Sequence, residues 1–334
     1  MTHRREFLKT MAAMTAAISV PSTLYANTPN EDKLGEILPL RKLGKTGENI
    51  TMLGVGGYHI GWTTERDAQE VIEAALEGGI RFFDTAEQYG PGTSEERYGK
   101  YLTPKYRELV FLMTKTQART AKDAQQHLED SLRRMKTDYL DLWQMHSLFT
   151  PEDVDSRMQE KVLDVLIKAK ESGKVKHIGF TGHQNPYAHN RMLELTRDND
   201  PIDAVQMPVN VLDQSYFSFI DNVMPELMKR NIGVLAMKTL ADGRFFATKE
   251  QAKWKTDDPI IPNYISIEEA MYFVWSLPVS TIIAGAEKAD YIRDKVKMAR
   301  SFVKLNETDR LVLVERVKEK ALAGNIEYFK QKPA

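Results

Sequence analysis

The chain has 334 residues, 42% of them hydrophobic, enough to bury one large core or two medium ones. Its 46 Lys and Arg balance 47 Asp and Glu, a formal net charge of -1, which removes any general electrostatic pull toward nucleic acid or an acidic membrane surface. Cysteine is absent, so disulfides, thiolate metal sites and cysteine-held iron–sulfur clusters are excluded, and small molecules are the expected partners.

In chain order, "THRREFLKTMAAMTAAISVPSTLYANT" comes first, with paired Arg4 and Arg5, then Phe7, Leu8 and Lys9, then a modest Ala/Met-rich run from Thr10 to Val20. This resembles a twin-arginine export signal, and its apolar run is too short to span a bilayer. The expected organisation is a signal peptide over 1–26 cleaved after Ala26, a short linker over 27–36, and one domain over 37–334. The protein is then periplasmic and meets the twin-arginine export machinery on the way.

Next, "LPLRKLGKTGENI" places a "GKTGEN" turn between two extended segments, which predicts a β-hairpin plugging a barrel bottom. From about residue 50, short β-rich runs alternate with longer amphipathic ones. The strand candidates are "TMLGVGG", "IRFFDTA", "ELVFLMTK", "YLDLWQMH", "KHIGFTG", "DAVQMPV", "IGVLAMK" and "STIIAGA". Between them, "ERDAQEVIEAALEGG", "AKDAQQHLEDSLRRM", "RMQEKVLDVLIKAKESG", "IDNVMPELMKR" and "SIEEAMYFVWSL" carry apolar residues at helical spacing, and "EGG" and "ESGK" supply C-terminal caps. Eight strand–helix units predict an α/β fold of the (β/α)8 TIM barrel type. Residues 241–265 form an unusually long connection, and an extra C-terminal helix is expected from about Thr308 to Ala323.

Active sites of such barrels lie at the C-terminal ends of the strands. Asp84 ends the second strand candidate, Tyr89 lies in the loop after it, Lys115 ends the third and His146 the fourth. Singly, each has a bland reading: a turn-forming Asp, a Tyr with one partner, a solvated rim Lys, a satisfied core His. Together they place four chemically able side chains at three successive strand ends.

"DTAEQYG" with "SEERYGKYL", "MTK", "DYLDLWQMHS", "GKVKHIGFTGH" and "VQMPVN" resemble the aldo-keto reductase superfamily from roughly Leu40 to the end of the barrel. The resemblance implies a catalytic tetrad of Asp84, Tyr89, Lys115 and His146. It implies an oxidoreductase that reduces an aldehyde or ketone with a nicotinamide dinucleotide. Hydride addition leaves an alkoxide that needs a proton, and Tyr89 is the expected general acid. Lys115 is expected to lower the Tyr89 pKa, Asp84 to hold the ammonium in place, and His146 to orient and polarise the carbonyl by a hydrogen bond.

Carried over position by position, Gln206 is expected to hold the nicotinamide carboxamide with Thr181. Met237 stands where many relatives place a stacking aromatic, and Lys238 and Leu240 flank the pyrophosphate. The adenosine end falls at Gly285 to Lys288. NADP(H) is favoured by family habit and NAD(H) stays open, because Ala286 and Tyr291 replace the usual phosphate-binding Ser and Arg and Glu287 would repel a phosphate dianion. Tyr58, His59 and Trp62, with the 241–265 connection, are the expected substrate pocket, the alternative being simple rim packing. No metal site is expected, since the seven histidines include no His-x-His or His-Glu-x-x-His pair. "GVGGYHI" lacks the third glycine of a dinucleotide fingerprint. The rival reading, a non-catalytic barrel that binds dinucleotide or ligand in a regulatory role, has no need of the acid and its tuner.

Overall fold

The structure is a computed structural model describing residues 31–250 and 253–331. The expected export signal therefore lies outside the described residues. Eight parallel strands close into a barrel: β1 (Leu53–Gly56), β2 (Phe82–Asp84), β3 (Phe111–Thr116), β4 (Leu140–Met145), β5 (Val175–Thr181), β6 (Ala204–Pro208), β7 (Gly233–Met237) and β8 (Thr281–Gly285). Each pairs with its sequence neighbours, and Ile282 of β8 meets Leu53 of β1 to complete the ring. All eight coincide with the β-rich runs read from the sequence.

The helices follow from spacing and caps. α1 (Glu65–Glu77) buries Ala68, Val71, Ile72, Ala75 and Leu76 on one face, and its Thr64 cap accepts from Asp67 N. α2 is Thr93–Tyr101. α3 (Ala121–Met135) buries Ala124, Leu128, Leu132 and Met135 and ends where Lys136 turns left-handed at φ 50°. The helix expected from Arg157 is instead two: Pro151–Gln159 and α4 (Val162–Glu171), separated at Lys161 with φ 58°. The break lets Arg157, fully buried, donate to the carbonyls of His146 at 2.8 Å and Ser147 at 3.1 Å. α5 is Pro186–Leu195 and α6 Met224–Lys229. α7 (Ile267–Trp275) begins with a capping box of Ser266 and Glu269. α8 (Ala289–Arg300) and α9 (Glu307–Leu322) finish the layer, α9 being the expected extra helix.

The hairpin pairs Leu40–Lys42 with Asn49–Thr51. Leu43 and Ile50, both buried, join Phe82, Phe111, Met113, Leu142, Leu235 and Ile283 in a cluster inside the barrel floor. Phe82 stacks on Phe111 at 5.2 Å, and burying such a side chain contributes about 1.5–3 kcal/mol. Gly44 at φ 51° is required here, because a Cβ would lie 2.4 Å from Gly233 N.

Two of the expected connections carry short elements of their own. From residue 31 the expected linker is an antiparallel ribbon, Glu31–Asp32 with Gly35–Glu36. It is held because both Asp32 oxygens accept from buried Arg81, at 2.6 and 2.9 Å. The long connection after β7 carries a second ribbon, Thr248–Lys249 with Trp254–Lys255, and a short helix, Ile260–Asn263.

Candidate active site

The register of the barrel brings the four side chains together. Asp84 pairs across to Gly56 on β1 and to Met113 on β3, and Lys115 lies opposite Gln144 on β4. The two charged residues thus enter the barrel at adjacent strand ends. Gly57 leaves them room, since a Cβ there would lie 2.3 Å from the Asp84 carbonyl oxygen.

Lys115 is 1% exposed and Asp84 2%. The ammonium donates to Asp84 Oδ1, to the Thr85 carbonyl at 2.7 Å, and to the Tyr89 hydroxyl at 3.4 Å. It also stands 4.9 Å from the Tyr89 ring centre. The Tyr89 ring packs edge-on against His146 at 5.8 Å and against Tyr58 at 5.6 Å.

Burial sets the protonation states. Desolvation raises the Asp84 pKa despite Lys115, and lowers that of Lys115 despite Asp84. The expected lowering of the Tyr89 pKa is corrected: burial, then Asp84, Tyr58 and Asp242, push it well above the usual phenol value. Burial outweighs the nearby Lys115 ammonium, so Tyr89 rests as a neutral donor. His146 is held well below its ordinary value by burial, then Lys115, His183 and Arg157. It is therefore a neutral imidazole with one N–H to offer.

On the other side of the mouth, Thr181 and Met237 end β5 and β7, and Gln206 lies within β6 between them, opposite Thr181. Gln206 is buried, its Nε2 lies 3.7 Å from Met237 Sδ, and its Oε1 has no hydrogen-bond partner among the described residues. Lys238 follows in a left-handed conformation, φ 57°, with its ammonium 3.5 Å from Asp242. Leu240, half-buried, leads into a turn over Ala241–Gly243.

The remaining candidates separate. Tyr58 and Trp62 stay at the rim, 51% and 58% exposed, with ring centres 6.2 Å apart. His59 turns instead to the end of β8, where its Nε2 is 3.2 Å from Glu287 and a Cβ on Gly285 would meet its Nδ1 at 2.3 Å. Glu287, also 3.4 Å from Lys249, is drawn down to about 2, first by the His59 hydrogen bond. Lys288 points outward to Asp67 at 3.3 Å, not into the mouth.

Sequence reading assigned the 241–265 connection to this mouth but singled out neither its Asp242 and Arg244 nor Tyr328. Asp242 and Arg244 face Tyr328, whose hydroxyl donates to Asp242 Oδ2 at 2.6 Å under the Arg244 guanidinium, 3.8 Å from the ring centre. Glu327, Phe329 and Lys330 lie alongside. The signal was the aromatic and charged interleaving of "NIEYFK", which carries no period of helix or strand.

A parallel barrel with a buried Lys–Asp pair beside a tyrosine of the loop after β2 defines an enzyme-type site for proton delivery. The chain belongs to the aldo/keto reductase family, whose model matches residues 52–330; this is a family of oxidoreductases. It is 30% identical over 218 residues to aldo-keto reductase YhdN of Bacillus subtilis, covering 60% of this chain and 62% of that protein. It is 26% identical over 303 residues to the uncharacterized oxidoreductase YrpG of the same organism, 76% of this chain and 89% of that one. In fold it is similar to aldo-keto reductase AKR11C1 from Bacillus halodurans in its holo form, with a TM-score of 0.68 and 22% identity, covering 84% of this chain and 96% of the other.

Proposed function

We propose that the chain reduces a small aldehyde or ketone to the alcohol, using a nicotinamide dinucleotide. The observation that carries this is the Tyr89 hydroxyl, 3.4 Å from a buried ammonium and beside neutral His146. The residues across the mouth fit the dinucleotide: Gln206 Oε1 is a buried acceptor without a partner among the described residues, a match for a carboxamide NH2. When bound, the dinucleotide supplies the hydride. Tyr89 holds the proton and releases it to the carbonyl oxygen as negative charge develops there. Lys115 stabilises the phenolate left behind, and Asp84 keeps the ammonium in place. His146 donates to the same oxygen and fixes its position.

NADP(H) is the favoured dinucleotide on the habit of the family. NAD(H) is the second reading, supported by Glu287 at the end of β8 and by Lys288 being engaged with Asp67. Tyr58 and Trp62 at the rim form the substrate side. Residues 1–26 are read as a twin-arginine signal, giving a periplasmic enzyme exported folded with its dinucleotide already bound. Mature protein recovered from the periplasm and denatured should release stoichiometric dinucleotide; empty protein would rule out that carriage.

The catalytic reading is tested with Tyr89→Phe. Carbonyl reduction should fall by at least about two orders of magnitude while dinucleotide affinity is retained. A variant that keeps the wild-type rate would remove Tyr89 as the acid.

A further inference from the structure

Beyond α9 the chain turns back across the C-terminal face of the barrel and binds three loops at once. At the loop after β5, Gln331 N donates to the Gln184 carbonyl at 2.8 Å and Asn185 Nδ2 donates to Gln331 Oε1 at 2.9 Å. The Phe329 ring meets His183 at 6.2 Å. At the loop after β6, Asn210 Nδ2 donates to Glu327 Oε1 at 2.8 Å, and Lys330 donates to Asp213 Oδ1 at 2.7 Å and the Tyr216 carbonyl at 2.8 Å. At the loop after β7, Tyr328 holds Asp242, and Arg244 donates to the Asn325 carbonyl at 2.7 Å.

The centre of this contact is ionic and dry. The side chains of Lys330 and Asp213 are 0% exposed and that of Glu327 4%, with Lys330 and Glu327 at 2.9 Å. Burial opposes the ammonium, but Asp213 and Glu327 outweigh it and raise its pKa. Burial also pushes Glu327 up to about 7 against Lys330. Apolar side chains would pack here without that desolvation cost, whereas an ion pair of fixed geometry sets one register. A groove of about 320 Å³ lies against the segment, lined in part by His183, Lys238, Tyr328 and Phe329.

The three loops so tied follow the strands that carry Thr181, Gln206 and Met237. We propose that residues 324–331 form a strap over the dinucleotide side of the mouth, and that Lys330 is the positioning residue that sets how fast the dinucleotide leaves. This rests on the dinucleotide reading above. Tight retention follows without any extra contact to the ligand, because release requires the loops to part and the strap holds them together.

The test is a chase measurement of NADPH and NADH release, by loss of nicotinamide fluorescence, from the full chain and from Lys330→Met and Tyr328→Phe. Release should quicken about tenfold in Lys330→Met and less in Tyr328→Phe, with KM for the dinucleotide moving the same way. A purely structural role predicts lower thermal stability with the release rate of the folded protein unmoved, and that result overturns the strap. Should Lys330→Met fail to fold, unchanged release in Tyr328→Phe overturns it. Wild-type protein that binds neither dinucleotide overturns the underlying reading and the strap with it, and so is distinct from binding with unaltered release.

Discussion

Lys115 depends on Asp84 for its charge and lends Tyr89 a place to leave one. With both partners almost wholly buried, removing the cation strands a carboxylate in the core. Lys115→Met should destabilise the fold by about 3 kcal/mol at pH 8 as well as abolish turnover. Asp84 already has a raised pKa, and a carboxylate raised in the folded state gives stability that is present at low pH and lost as pH rises. The penalty should therefore be smaller at pH 5 than at pH 8, which urea unfolding at the two values will show. The identities of these residues were legible in the sequence, because strand ends and residue types sufficed to group them. The direction of the Tyr89 shift was not, since it turns on burial of the phenol and then on the charges of Asp84, Tyr58 and a loop residue, Asp242.

Elements were legible where local signals agree. The eight strands are β-rich runs bounded by turn residues, and α3 and α7 carry both a periodic apolar face and a cap. For α7 the cap is measurable: Ser266→Ala should cost about 1 kcal/mol in chemical denaturation, with the Glu269 backbone N–H left without its acceptor. The helix broken at Lys161 was not legible, because its apolar spacing runs through the break and only the distant carbonyls of His146 and Ser147 explain where Arg157 must sit. The strap escaped for the same reason, Lys330 and Asp213 being 117 residues apart.

At the scale of the whole molecule, acid stability follows from buried imidazoles. His189, between Phe180 at 5.2 Å and Phe219 at 5.0 Å, is lowered to about 3 by burial, and His183 to about 4. The unfolded chain protonates such groups at about 6.5, so the stability they give is complete above that pH and lost as pH falls toward the folded values. His189→Leu should remove up to about 1.4 kcal/mol per pH unit from the slope of unfolding free energy below pH 6.5. Equal slopes in the two proteins would show that His189 is not the titrating group.

Leu43 and Ile50 fill the floor of the barrel, far from any chemistry. A vessel stoppered at its base is loaded and emptied through its neck. Anything bound at the strand ends is therefore reached through the loops of the opposite face.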